Sequence, residues 1–233
     1  DGSFDLDDFI DYIINYIKIK YMSKIKKPVL PPDIISALSG PVVKNLEDLN
    51  SFENLIKQYD RCIDIQQSIV YMHTDIEYGT LYDLMNNIAL IIKCRPAEKK
   101  LDSITISLNS FGGSVYEMFG IIDFIRNCPV KINVVVRATA MSAAAVILAC
   151  ATGKRMAGKH AQIMLHELSS ETAGKLSDIK VSATHLDVIE KDGNKLLAEA
   201  TGKTIEFWEH KMKKDFYVTA EQALELGIID EII

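Results

Sequence analysis

The chain of 233 residues carries 32 acidic and 26 basic side chains, a formal net charge of −6 at pH 7. Hydrophobic residues make up 48% of it and charged residues 25%, which is typical of a globular protein and excludes a disordered one. The acidic balance argues against non-specific nucleic-acid binding, which needs basic surface to neutralise phosphates. The longest apolar run, Ala143 to Ala151, is about half as long as a membrane span requires. We therefore expect neither a nucleic-acid partner nor a membrane.

The cysteines and histidines favour a reducing compartment without a metal. The four cysteines (Cys62, Cys94, Cys128 and Cys150) show no CxxC spacing, and three of them lie in or beside apolar stretches. The five histidines form neither an HExxH nor an HxH pattern. The acidic start of the chain is unlike a signal peptide. These patterns predict a reducing compartment, either the cytoplasm or an organelle matrix or stroma, and no metal.

The first part of the chain differs in pattern from the rest. Apolar residues recur at close to helical spacing over residues 5–22, and Pro28, Pro31 and Pro32 then exclude a continuous helix. Residues 33–59 suggest short helices with polar faces. We predict an N-terminal extension over residues 1–60, mostly helical and of open role, followed by a single domain over residues 61–233.

The second part alternates between strands and helices. Apolar runs predict strands, and apolar residues at helical spacing predict helices. The predicted strands are 69–72, 104–108, 130–136 and 163–165, and the predicted helices are 81–94, 115–125, 177–200 and 220–226. This alternation predicts an α/β fold with a largely parallel sheet.

Two segments could carry chemistry at strand ends. Leu108 to Val115 is predicted as a strand that enters Gly112 and Gly113 and then a helix, so that backbone amides could face a ligand. Ordinary turn chemistry explains the same pattern. Ser142 lies among small residues between a predicted strand and an Ala-rich segment, which suits an approachable nucleophile. A serine that merely caps a helix explains that pattern equally.

Two further residues could assist such a serine. His166 directly follows the strand 163–165, and it could be either a structural histidine or the general base of a serine nucleophile. Asp215 follows two lysines, and taken alone it indicates only a surface ion pair.

Together these features resemble the ClpP family of self-compartmentalising serine proteases. The sequence N-S-F-G-G-S-V at Asn109–Val115 is similar to the family's N-S-P-G-G-S-V, with Phe111 in place of the proline. The alignment continues without a gap to Ser142, which falls at the nucleophile of the family's A-S-M-G-A. I-M-L-H at Ile163–His166 is similar to the V-M-I-H that ends at the catalytic histidine.

The resemblance continues to the end of the chain. The segment from His166 to Asp215 aligns without a gap, and A-E-Q-A-L-E-L-G-I-I-D at Ala220–Asp230 is similar to the family's closing A-P-E-A-x-E-x-G-L-V-D. In all, the resemblance covers roughly residues 62–233.

The resemblance implies a catalytic scheme. Ser142 would be the nucleophile, His166 the general base, and Asp215 the group that orients the imidazole. The backbone N–H groups of Gly113 and Ala143 would form the oxyanion hole. Acyl transfer of this kind needs no metal and no organic cofactor.

The resemblance also implies a fold and an assembly. The fold would be the ClpP/crotonase-like α/β fold, with repeated β-β-α units and a long handle helix at 177–200. Such chains form homo-oligomers of two stacked heptameric rings, which an AAA+ unfoldase feeds. The substrates would be peptides or unfolded proteins, and peptide hydrolysis itself would not require ATP.

Departures from the family pattern leave alternatives open. The segment from Ser142 to His166 is one residue shorter than usual, and a different gap would place Met141 at the nucleophile position of an inactive protein. Glu167 replaces the glutamine that usually follows the histidine. The alternatives are therefore a catalytically inactive ring subunit and a crotonase-like acyl-CoA enzyme. A phage protease that acts on capsid or scaffold proteins would keep the same chemistry.

Overall fold

The computed structural model describes residues 60–94 and 101–233, with the side chain of Cys94 excepted, so the predicted N-terminal helices lie outside the described residues. The strands are β1 (Ile63–Asp64), β2 (Ile69–Met72), β3 (Ser103–Ser110), β4 (Lys131–Met141), β5 (Arg155–Ala157), β6 (Gln162–Leu165), β7 (Phe216–Val218) and β8 (Glu231–Ile232). The helices are α1 (Thr80–Cys94), α2 (Val115–Asn127), α3 (Ala143–Ala149), α4 (Leu176–Thr201), α5 (Ile205–Lys211) and α6 (Ala220–Glu225).

All eight strands form one mixed sheet that is mainly parallel. Its main order is β1-β2-β3-β4-β5-β8, and every neighbouring pair after the antiparallel β1–β2 pair is parallel. β6 leaves this order, because it pairs in parallel with β4 and antiparallel with β7. The sheet confirms the predicted α/β class with a largely parallel sheet.

Along its length, β4 pairs with two different strands on the same side, one after the other. Val134 to Val136 pair with β5, whereas Thr139 to Met141 pair with β6. The pairing with β3 shifts register at the same place, since Leu108 pairs with Val136 but Ser110 pairs with Ala140. At this register shift, the side-chain oxygen of Asn109 accepts a 3.1 Å hydrogen bond from the Thr139 amide. A bulge of this kind bends a strand and re-aims its end.

The helices from α1 to α5 pack in chain order, so that α1, α2, α3 and α4 each contact the next helix. Residues on their inner faces and on the parallel strands form one hydrophobic core. Within α3 every residue from Ala143 to Ala149 is buried, which is why this short helix is apolar on all sides. No helix in the described part of the chain is long and apolar enough to cross a membrane.

The sequence predicts the long elements well and the short ones poorly. The predicted helix 177–200 is α4, and three of the four predicted strands lie within observed ones, while the predicted strand 130–136 begins one residue before β4. However, β4 continues to Met141, beyond the predicted end at Val136, because residues that leave one partner strand pair with another. β1, β5, β7, β8, α3 and α5 are not among the elements predicted from the sequence. Strands of two or three residues are too short for periodicity to mark them.

Arg155 joins the ends of several elements. Its guanidinium donates hydrogen bonds to the carbonyl oxygens of Ala149, Ala200 and Gly227, at 3.3, 3.0 and 2.7 Å. It also forms a bidentate ion pair with the Asp230 carboxylate. Hydrogen bonds from Arg155 are the main cause that lowers the pKa of the Asp230 carboxyl below its ordinary value. A single side chain thus ties α3, α4 and the segment after α6 to β5.

We expect Arg155→Met to lower the free energy of unfolding by about 2–4 kcal/mol, because three carbonyl groups lose their donor. Asp230→Asn should cost about 1 kcal/mol or less, since the Asp230 side chain is 43% exposed and solvent screens its charge. Denaturant titration at fixed protein concentration measures both effects.

The Asp230→Asn effect should also depend on pH. The depressed pKa means that the contribution of Asp230 is fully present at neutral pH and is lost as the pH falls through the pKa of the folded state. The difference in the free energy of unfolding between wild type and Asp230→Asn should therefore shrink below about pH 4. An equal difference at pH 7 and pH 3 would show that the ion pair does not stabilise the fold.

Candidate active site

Ser142 occupies a strained turn between β4 and α3. Its φ of 53° and ψ of −125° lie in a region that non-glycine residues rarely adopt. Although it stands at the N-cap of α3, its side chain makes no capping hydrogen bond. The hydroxyl therefore does not do what a helix-capping serine does, and it is free for another partner.

That partner is His166, just beyond the end of β6. Met141 pairs with Met164, and the Ser142 amide donates a 2.8 Å hydrogen bond to the Met164 carbonyl. This parallel pairing brings the two strand ends together, with Nε2 of His166 2.9 Å from Oγ of Ser142. The side chain that contacts the imidazole is thus Ser142, whereas Met141 is the last residue of β4.

Gly112 and Gly113 lie against the same turn. Both have positive φ values, 102° and 140°. A Cβ on Gly112 would lie 2.6 Å from the Met141 carbonyl oxygen and 2.7 Å from the Cβ of Ser142. A Cβ on Gly113 would lie 2.2 Å from the carbonyl oxygen of Ile76. Only glycine allows the loop after β3 to approach the serine this closely.

The amides of Gly113 and Ala143 border the space in front of the serine. Both residues line the cavity that Ser142 and His166 also line. Neither amide has an acceptor among the described residues. Two unpaired N–H groups beside a serine hydroxyl are what an oxyanion hole requires.

Asp215 lies near His166 along the sheet but does not contact it. β6 and β7 pair Leu165 with Phe216, so one more step of the same antiparallel register would set His166 opposite Asp215. The Asp215 side chain is exposed, and it makes no hydrogen bond within the described part of the chain. The structure thus brings together Ser142, His166 and the two amides, and it leaves Asp215 at the neighbouring register position.

A cavity of about 500 Å³ opens beside the Ser142–His166 pair. Its walls come from the start of α2, the start of α3, the end of β6 and one face of α4. No site residue is predicted on α4 from the sequence, yet Glu190 and Asn194 of this helix line the cavity. Their spacing of four residues places them on one helix face, a signal that exists in the sequence but does not point to a site without the fold.

A serine hydroxyl on an imidazole, beside two unpaired amides and a cavity, defines a serine hydrolase site. Comparison with known proteins identifies its family. The family profile described as Clp protease matches residues 54–233. The chain belongs to the Clp protease family, and it is a serine-type peptidase with the ClpP-like α/β fold. This membership argues against the crotonase-like alternative.

Curated relatives agree with the profile. The chain is 30% identical to "ATP-dependent Clp protease proteolytic subunit 1" of Prochlorococcus marinus subsp. pastoris, over 81% of this chain and 93% of that relative. It is also 30% identical to "ATP-dependent Clp protease proteolytic subunit" of Porphyromonas gingivalis, over 71% of this chain and 73% of that relative.

We expect Gly112→Ala to destabilise the fold by about 3 kcal/mol, because the new methyl group would overlap backbone and Cβ atoms of the Ser142 turn. Gly174→Ala is the matched control. Gly174 has a φ of 149°, but its added methyl group would meet nothing within 4 Å. The control therefore carries only the backbone strain, about 1–2 kcal/mol. Denaturant titration measures the stability of both variants. If Gly112→Ala and Gly174→Ala lose the same free energy of unfolding, the contact between Gly112 and Ser142 is not tight.

Proposed function

We propose that this chain is the peptidase core of a self-compartmentalising serine endopeptidase, and that Ser142, His166 and Asp215 form its catalytic triad. The observation that carries the proposal is the 2.9 Å contact between Oγ of Ser142 and Nε2 of His166 in a turn that leaves the hydroxyl uncapped. Heavy atoms at this distance allow direct proton transfer.

The reaction proceeds in two acyl-transfer steps. Nε2 of His166 accepts the Ser142 proton while Oγ attacks the peptide carbonyl carbon, and the same proton then passes to the leaving amine. An acyl-enzyme on Ser142 remains. Water, deprotonated by His166, attacks this ester, and His166 returns the proton to Oγ as the carboxylate product leaves.

The amides of Gly113 and Ala143 bind the oxyanion of both tetrahedral intermediates. They are fixed before the reaction, Gly113 by its parallel bridge to Ile76 and Ala143 by its place in the buried helix α3. Donors that need no reorganisation stabilise the transition state most, and each contributes about 3–4 kcal/mol.

Asp215 orients the imidazole by accepting a hydrogen bond from Nδ1. Support comes from the register of β6 and β7, which continues from Leu165–Phe216 toward His166 and Asp215. In this scheme the exposed carboxylate turns toward the imidazole when substrate binds.

We also propose that the chain works as a homo-oligomer of stacked heptameric rings in a reducing compartment such as the cytoplasm. Several apolar side chains of α4 are exposed in the single chain, namely Leu176, Val181 and Val188. Burial of these residues between copies would remove apolar surface from water. Unfolded proteins would be delivered by an AAA+ unfoldase, while short peptides would be cleaved without ATP.

A fluorophosphonate probe tests the nucleophile directly. We expect it to label Ser142 and no other serine, and we expect Ser142→Ala to abolish both labelling and peptide hydrolysis. Ser177→Ala, which removes an exposed hydroxyl on α4, is the matched control and should keep both. Light scattering should return the same mass for all three proteins, far above the 26.1 kDa of one chain. Absence of labelling in folded wild type would overturn the proposal and favour the inactive ring subunit.

The role of Asp215 has its own test. Asp215→Asn should lower kcat by about 10⁴-fold, because the imidazole would lose the group that fixes its tautomer. Asp178→Asn, on an exposed face of α4, is the control and should leave kcat unchanged. A loss smaller than about tenfold in Asp215→Asn would mean that Asp215 is only a surface carboxylate.

A further inference from the structure

The cavity beside Ser142 combines apolar walls with two carboxylates. Buried apolar side chains form its inner wall, among them Met118, Ile189 and Leu197. Glu167, after β6, and Glu190, on α4, also line it. No lysine or arginine is among the lining residues. The space next to the serine is therefore apolar on one side and negatively charged on another.

Glu190 has no positively charged partner among the residues that the structure describes. Within the described residues it forms no ion pair, although it is half-buried. Burial raises the pKa of its carboxyl, and neighbouring negative charges raise it further. These charges belong to Glu167 after β6, to Asp187 on α4 itself and to Glu209 on α5. A partly buried carboxylate among other carboxylates is unfavourable unless a cation is placed beside it.

Asn194 points independently to a ligand. It lies one helical turn after Glu190, and it is only 2% exposed. It lines the same cavity, and its side-chain amide makes no hydrogen bond within the described part of the chain. Because Asn194 lines the cavity, its side-chain amide can hydrogen-bond to a polar group of a bound substrate.

We propose that this cavity binds a lysine or arginine side chain of the substrate, so that the peptidase cleaves after basic residues. The inference rests on the proposed function of Ser142. Glu190 accepts a hydrogen bond from the cationic head group, and Glu167 adds to the negative field. The reaction remains peptide hydrolysis. The cavity selects only the substrate residue whose carbonyl Ser142 attacks.

The shape and polarity of the cavity fit a long basic side chain better than the alternatives. Lysine and arginine have apolar stems that pack on Ile189 and Leu197 while the charged end reaches Glu190. A purely apolar side chain would desolvate Glu190 without neutralising it. An acidic side chain would meet like charges at close range, which is more unfavourable still.

Fluorogenic peptides that differ only in this residue test the proposal on the full-length chain. We expect kcat/KM for lysine or arginine to exceed that for norleucine, which lacks the charge, by at least about tenfold. Glutamate should be the poorest substrate. In Glu190→Gln the preference for lysine over norleucine should fall below about threefold. Equal rates for lysine and norleucine in wild type would overturn the proposal.

Glu225→Gln is the matched control, because it removes one exposed carboxylate from α6 outside the cavity. It should keep the full preference for lysine. Glu167→Gln should reduce the preference partially, and it provides a second variant if Glu190→Gln does not fold. If Glu225→Gln and Glu190→Gln lose the preference for lysine over norleucine equally, the net charge of the protein explains the preference. That result would overturn the assignment of Glu190.

Binding separates this inference from the catalytic proposal. In Ser142→Ala, fluorescence anisotropy should show tighter binding of a lysine peptide than of its norleucine counterpart, by at least about tenfold. If wild type neither hydrolyses peptides nor reacts with the fluorophosphonate probe, the catalytic proposal fails while this binding difference still supports the basic pocket. If the probe labels Ser142 but no binding difference exists, the catalytic proposal stands and the pocket assignment fails.

Discussion

The divided pairing of β4 is the constraint on which the rest of the site depends. One strand must pair with β5 up to Val136 and then with β6 from Thr139, so it has to bend between the two partners. Asn109 stabilises the bend by accepting a hydrogen bond from the Thr139 amide. The pairing with β6 then ends at Met141, which sets Ser142 beside the end of β6 and so beside His166. A straight β4 would carry Ser142 away from His166.

The strain at Ser142 follows from this constraint, and the surrounding structure offsets it. A positive φ at a non-glycine residue costs about 1–3 kcal/mol. The bond from the Ser142 amide to Met164 and the complete burial of α3 hold the turn in place. Gly112 has to be a glycine because the same turn occupies the space where its Cβ would lie. Backbone geometry, more than side-chain choice, thus fixes the hydroxyl with respect to the imidazole.

The sequence could predict this site only in part. Periodicity predicted the helices and the parallel strands, because burial of one face imposes a regular pattern. The Gly-Gly, Ser and His segments were predicted as strand ends, and parallel pairing does gather strand ends at one edge. By contrast, the extension of β4 to Met141 depends on a long-range partner that no local pattern shows. The position of Asp215 depends on β7, a strand of three residues that is too short for periodicity to mark. The spacing of Glu190 and Asn194 places them on one helix face, but it does not point to a site without the fold, because a carboxylate on a polar helix indicates only a solvated face.

The groups proposed for chemistry and the groups proposed for specificity lie in different parts of the fold. The groups proposed to break the peptide bond lie on strand ends and on the two turns that the bend in β4 brings together. The groups proposed to select the substrate, Glu190 and Asn194, lie on α4, whose side chains can change without moving the backbone of the turn. Glu190 takes no part in the 2.9 Å contact between Ser142 and His166, so we expect a change at residue 190 to alter the charge of the cavity without removing that contact. The same arrangement of serine and histidine can therefore serve substrates of different charge, and the family relationship alone does not determine which side chain this cavity accepts.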